Sequence, residues 1–393
     1  MKSCPMKSSA QQLLAKARAV TGINITDTTI ATRLGKLLHS LNTEAELHEV
    51  GVAGMERHLL RVLCDRLRML RDFDAHPEIN EQKVVRPLFI TCLPRTGSTK
   101  THKMLGASGD FIRLPFWMGY NIALRSGRRG EDPSERIQEA DNHVRWFNTH
   151  APQAGQIHEF STFETEEESL LFEPMLYAPY LGAYVFVPSY TQWYMTTQDI
   201  SSDLAFMKLG LKYLQWQFHD GDDHGELRPW VLKCPSYPGM EALLTGLFPD
   251  ACFVATHRDP AATISSINSL LYHYNVAYSA VDRRKILGPI MMEGMAMQIQ
   301  QAMSVRDSNP GLNLIDIGYT DIVKNGAQVI EKIYAHARMT LSEKSQQAMQ
   351  DWERNNAQHK LGIHKYSLED YGLSEEMVRS RFSAYIERNQ QYF

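Results

Sequence analysis

No run of about 18 apolar residues occurs anywhere in the 393-residue chain, and its first fifteen residues hold no apolar core of signal-peptide length. Neither a membrane span nor export by that route is expected. The five cysteines, Cys4, Cys64, Cys92, Cys234 and Cys252, are odd in number and lack paired metal-ligand spacing. A disulfide scaffold and a zinc module are thereby disfavoured, and a reducing cytoplasm fits best. Charge of one sign is missing too: 41 Lys and Arg face 45 Asp and Glu, a formal net charge of −4. No nucleic-acid-binding surface is implied, so any anion site has to be local. Repeats and low-complexity tracts are absent. What remains is ordinary globular composition, 43% hydrophobic and 22% charged, in a chain long enough to bury a full core.

Residues 10–75 read as helices. Leu59, Leu60, Val62, Leu63, Leu67 and Leu70 recur at threes and fours, interleaved with Arg57, Arg61, Arg66, Arg68 and Arg71, an arrangement that predicts a solvated basic face. The stretch Asp74 to Lys83, holding Pro77, predicts a boundary between an N-terminal helical segment (1–82) packed on the main domain and a main domain (83–393). Beyond it, short apolar runs alternate with helical patterns. Strands are expected at Leu88–Leu93, Trp230–Leu232, Cys252–Thr256 and Leu312–Ile317, with helices over Met240–Leu247 and Val323–Ala337. That alternation predicts an α/β fold, a central parallel sheet flanked by helices.

The first strand stops at Pro94, and a tight turn through Gly97 leads into a helix opening with Ser98 and Thr99. Such a turn aims backbone N–H groups, two hydroxyls and a helix N-terminus at one point, with Arg95 and Thr96 beside them, and makes a cradle for a phosphate. The first Gly of a Walker A loop is missing, and Lys100-Thr101 comes two residues too late for Gly-Lys-Ser/Thr. A second cradle is expected at the end of the third strand. Asp259 and Pro260 there form a clean helix start, and Arg258 and Ser266, eight residues apart, can meet on one anion. Ligands of parallel sheets lie at the carboxyl ends of strands. Two separated phosphate sites suit a nucleotide phosphorylated at its 5′ and 3′ positions, the shape of 3′-phosphoadenosine 5′-phosphosulfate (PAPS). Lys233, at the end of the second strand, becomes a charge aimed at the transferred group.

The segment Leu93-Pro94-Arg95-Thr96-Gly97-Ser98-Thr99 resembles the 5′-phosphosulfate loop of sulfotransferases, in particular their bacterial branch, and the Arg258 to Ser266 spacing is similar to that family's 3′-phosphate site. The likeness extends to Leu13–Leu41, to Tyr319-Thr320-Asp321 and to the tail from Lys360 to Leu373. It implies a P-loop-like sulfotransferase fold and PAPS as co-substrate without a metal. It also implies that Tyr319 lies near the adenosine, that Lys360, Gly362 and His364 in the tail contact the 3′-phosphate, and that Lys233 stabilises charge on the bridging oxygen.

The chain departs from the family at the base that deprotonates the acceptor. The two usual His positions, two and four residues after the strand-end Lys, hold Pro235 and Tyr237. Upstream, the family pattern of a His followed nine residues later by an acidic residue is met by His158 and Glu167. Glu167 is the expected base with His158 nearby, and His102, His257 and Tyr237 stand in reserve. Glu168, three residues after Thr165, reads as the second half of a capping box. Phe116, Trp117, Tyr190, Trp193 and Tyr194 suggest an apolar or aromatic small-molecule acceptor. The competing readings are a sulfotransferase-like binding protein without activity, motivated by Pro235 and Tyr237, and an ATP-dependent P-loop phosphotransferase, which the placement of Lys100 opposes.

Overall fold

The structure, a computed structural model, describes residues 3–158, 160–218, 227–356 and 367–393. Its centre is a four-stranded parallel sheet of β1 (Leu88–Cys92), β2 (Val231–Lys233), β3 (Cys252–His257) and β4 (Leu314–Gly318), in the order β2-β1-β3-β4. Helices cover both faces, which is why the strands read as unbroken apolar runs. Successive side chains alternate between two cores. Phe89, Leu232 and Phe253 enter one, with Phe89 stacked on Phe253 at 5.6 Å, while Leu88, Ile90, Val231 and Val254 join Leu105 and Ile330 in the other.

The strand ends differ by a residue or two from the expected spans, and β3 runs one residue further, to His257. Trp230 makes only an isolated bridge to Ile112, and β4 starts at Leu314. The helix expected over Val323–Ala337 is two, Tyr319–Lys324 and Gly326–His336, because the chain breaks at Asn325-Gly326, where glycine favours no helix interior.

Helices Ala10–Thr21, Thr28–Thr43 and Glu49–Ala75 precede the sheet and feed Leu13, Leu34, Leu37, Leu59 and Leu63 into the same apolar cluster as Phe89. The arginines of Glu49–Ala75 overturn the expected solvated face. Arg57 is exposed, over the Trp146 ring, but Arg61, Arg66 and Arg68 are almost wholly buried. Arg61 pairs with Glu173, Arg66 with Asp27 at 2.6 Å and Arg68 with Asp65 at 3.5 Å. The sequence pattern could not show this, because the carboxylates that draw the guanidinia inward lie mostly on other elements. Tyr190 and Tyr194 are likewise core, and no acceptor wall. The Tyr190 hydroxyl donates to Leu176 O at 2.5 Å, and Tyr194 lies under the Arg33 guanidinium at 5.0 Å. Among the described residues no helix is long and apolar enough to cross a membrane.

Candidate active site

Strand order alone makes a crevice. From β1 the chain goes on to β2, on its outer side, and from β3 it goes on to β4 in the opposite direction, so the connections that leave the neighbours β1 and β3 diverge at the carboxyl ends of these strands. After β1 the turn passes through Arg95 (φ 69°) and Gly97 (φ 87°), both left-handed, into helix Ser98–Ala107. Thr96 is buried and pins the turn: its hydroxyl donates to Leu93 O at 2.7 Å and lies 2.6 Å from the Thr256 hydroxyl of β3. No side chain caps the helix start, so its first amides point out of the turn unclaimed by a capping group.

Gly97 is required on two counts, since a Cβ there would also stand 3.1 Å from Ile322 Cδ1 and 3.3 Å from Tyr319 Cδ2. Gly97→Ala is expected to destabilise the protein by about 1–3 kcal/mol, read as a lower urea midpoint. An unchanged midpoint would show that the turn can relax.

Across the crevice, Arg95 Nε donates to Ser266 Oγ at 3.0 Å and Arg258 donates to Arg95 O at 2.9 Å. The Arg258 guanidinium lies 4.0 Å over the Tyr319 ring. Arg95, Gly97, Arg258, Ser266 and Tyr319 therefore share one place, and the two expected cradles form a single continuous cleft. Asp259 caps helix Pro260–Val276 as expected, accepting from Ala261 N at 2.8 Å. Lys100 turns away to pair with Glu353. Lys360, Gly362 and His364 lie outside the described residues.

Beside this cleft ends β2. Lys233 is buried, its ammonium paired with the Glu167 carboxylate and its backbone N–H donating to Glu168 Oε2 at 2.7 Å. Glu168 is thus no cap. Thr165 bridges to Pro115, and the 3₁₀ helix Glu168–Met175 starts without a side-chain cap. His158 faces Glu166, the neighbour of the expected base Glu167, at 3.5 Å. Burial raises the Glu166 carboxyl, but the charge and hydrogen bond of His158 and the charge of Lys103 outweigh it and hold the group below the usual carboxylate range.

Two residues overlooked in the sequence join the halves. Lys103 lies 3.9 Å from Glu164 and acts on Glu166. Tyr274 stacks on Tyr184 at 4.9 Å and is pushed well above the usual phenol range by burial first, then by Tyr184, Glu166 and Glu167, with Arg95 opposing. The helical spacings Thr99 to Lys103 and Ser266 to Tyr274 put each on the face of a residue already singled out, and could have flagged them.

The reserve bases are committed elsewhere. Burial, followed by the charge of Lys233, pushes His102 down to about 3, and its Nε2 lies 3.2 Å from Val231 O. His257 has both ring nitrogens engaged, with Asp316 at 2.7 Å and the Tyr385 hydroxyl at 2.9 Å. Tyr237 is buried edge-on against Phe89, its hydroxyl raised by burial and by Glu168. Among the described residues, no group of three or more His, Cys, Asp or Glu side chains is placed to hold a metal ion.

Comparison with known proteins bears on this arrangement. A family model described as "Sulfotransferase family" matches residues 87–343. The crystal structure of sulfotransferase STF1 from Mycobacterium tuberculosis superposes with a TM-score of 0.76 at 26% identity, covering 97% of this chain and 100% of that one. Sulfotransferase STF9 from Mycobacterium avium gives a TM-score of 0.80 at 21% identity, covering 97% and 96%, a likeness of fold. No curated protein matches the sequence significantly.

Proposed function

The chain belongs to the sulfotransferase family, and we propose that it moves a sulfuryl group from PAPS to the hydroxyl of a small acceptor. One observation carries this reading: Arg95, Lys233 and Arg258 stand at the carboxyl ends of the three adjacent strands β1, β2 and β3, with Ser266 bonded to the first of them. The groups suit a bisphosphorylated nucleotide. Glycine at 97 leaves backbone open where a Cβ would crowd the turn, the helix amides and the hydroxyls of Ser98 and Thr99 suit the 5′ end, and Arg258 with Ser266 suits the 3′-phosphate. Tyr319, beneath Arg258, suits the adenosine side.

PAPS, when bound, supplies the sulfuryl group and a bisphosphate leaving group. The chain's part is placement and charge. Arg95 and Lys233 are preorganised cations in a largely dry site, and such groups act where charge develops. They furnish from side chains the positive charge that phosphate-transfer sites draw from metal ions. Glu167 offers its carboxylate oxygens to the acceptor's proton, and His158 with Glu166 flanks it. In place of Tyr190 and Tyr194, the aromatic groups beside these carboxylates are Phe160, edge-on to His158 at 5.1 Å, and the stacked pair Tyr184 and Tyr274. They support an apolar or aromatic alcohol as acceptor. A cytoplasmic setting fits the buried free thiols Cys64, Cys234 and Cys252.

Two measurements test the proposal. Adenosine 3′,5′-bisphosphate at a hundredfold over its Kd should stabilise the protein by about 2.7 kcal/mol in a thermal shift, and Arg258→Ala should abolish the shift at the same concentration. Stabilisation by ATP with Mg²⁺ and not by the bisphosphate would reject the reading. A mass-spectrometric screen of alcohols and phenols should then find PAPS-dependent gain of a sulfate group, and turnover of charged sugars alone would overturn the acceptor class.

A further inference from the structure

We propose that Glu168 is a positioning residue for the transfer: it clamps the main chain of Lys233 at the open edge of β2 and thereby fixes where the Lys233 ammonium is presented. The inference rests on the reading of Lys233 as the cation at the transferred group.

Among the described residues β2 lies at the edge of the sheet and has β1 as its one strand partner. In such a strand the amides of alternate residues face outward, and a buried one without an acceptor is costly. The two outward amides here are those of Val231 and Lys233. Val231 N donates to Ile112 O at 3.1 Å, a backbone group that does what a neighbouring strand would do. Lys233 N instead donates to a side chain, Glu168 Oε2, at 2.7 Å. A carboxyl thus takes the place of the missing strand at the residue whose side chain faces the site.

The burial of this carboxyl needs a reason. Glu168 is 0% exposed, and neither its Oε1 nor the Tyr237 hydroxyl makes a hydrogen bond of good geometry, although the two interact. Burial, opposed by Tyr237 and the Lys233 amide and reinforced by the charge of Glu167, raises Glu168 to about 7. A group so placed gains little as a charge. It is well suited as a rigid acceptor of set length. Tyr237, held in the turn after β2 by Tyr237 N to Cys234 O at 3.1 Å, is the side chain that interacts with it. Glu167 holds the other end of the same lysine, so two consecutive residues fix one side chain at its root and at its tip.

Glu168→Gln and Glu168→Asp separate reach from charge. Glutamine keeps the length and an acceptor oxygen and removes the charge; aspartate keeps the charge and shortens the arm. We expect Glu168→Gln to turn over PAPS close to the wild-type rate and Glu168→Asp to lose about ten- to a hundredfold in kcat, the size of effect that misplacing a catalytic group by about 1 Å produces. Both should bind adenosine 3′,5′-bisphosphate with the wild-type Kd. Wild-type kcat in Glu168→Asp would overturn the proposal, as would an equal loss in both variants, which would make charge the active property. Failure of Glu168→Gln to fold would overturn it too, since the carboxyl would then serve the fold alone. Lys233→Ala distinguishes the layers. Unchanged turnover there sinks the underlying reading, whereas lost turnover with an unaffected Glu168→Asp sinks only the positioning role.

Discussion

Lys233→Ala is expected to lower turnover about a hundredfold or more, the usual cost of about 3 kcal/mol for removing one preorganised charge donor, while affinity for adenosine 3′,5′-bisphosphate stays nearly unchanged. The size of the effect follows from where the lysine stands. It is buried at the end of β2, adjacent in the sheet to the strand that leads into the Arg95–Gly97 turn, and is tied at backbone and ammonium by two consecutive carboxylates. Little reorganisation is needed when charge develops beside it. The fold should survive, because the partner left behind, Glu167, has a side chain 20% exposed and can take up water. Lys233→Arg should not restore turnover, because a planar guanidinium fork presents its charge differently from a compact ammonium. A kcat within a few-fold of wild type would remove Lys233 from the mechanism.

The second large effect lies away from the chemistry. Arg61→Met should destabilise the protein by about 3–5 kcal/mol in urea unfolding, because it leaves a buried carboxylate without its cation. Glu173 is 1% exposed and the Arg61 side chain 9%. That guanidinium also donates to Tyr120 O and lies 3.8 Å from the centroid of the Tyr120 ring. Replacing both partners, Arg61→Met with Glu173→Gln, should recover much of the loss, since position 173 then carries no charge and Asp65, which also faces Arg61, keeps Arg68 at 3.5 Å and Arg125 at 3.7 Å. A single-variant effect below about 1 kcal/mol would mean that water reaches Glu173. Glu173 belongs to the same 3₁₀ helix that begins with Glu168. This pair therefore fastens helix Glu49–Ala75 to the segment that grips Lys233, and gives the arginine-rich helix a part in shaping the site.

That helix also shows where sequence reading stops. Its apolar spacing was legible because period and burial are local properties of one helix. Its arginines were not, since whether a guanidinium meets water or a carboxylate depends on Asp27 and Glu173, which are remote in the chain. Similarly, Tyr190 and Trp193 looked like a pocket wall by composition, and only the packing of helix Pro188–Thr197 against Thr28–Thr43 and Ala178–Tyr184 makes Tyr190 core. The acidic run Glu164–Glu168 is the sharpest case. A capping spacing explained Glu168 locally, yet in the fold residues 166, 167 and 168 point to His158, the Lys233 ammonium and the Lys233 amide in turn.

By itself the sequence determined the parallel α/β sheet and the turns that end its strands. Proline, glycine and an Asp-Pro helix start act on their immediate neighbours, and apolar runs fix burial wherever the chain goes. Tertiary structure alone decided that Arg95 reaches Ser266, that β1 and β3 flank one crevice, and which of three consecutive glutamates holds which end of a lysine. Those choices depend on strand order and on the direction of each side chain at contact distance, and neither is encoded within a few residues of the groups that meet.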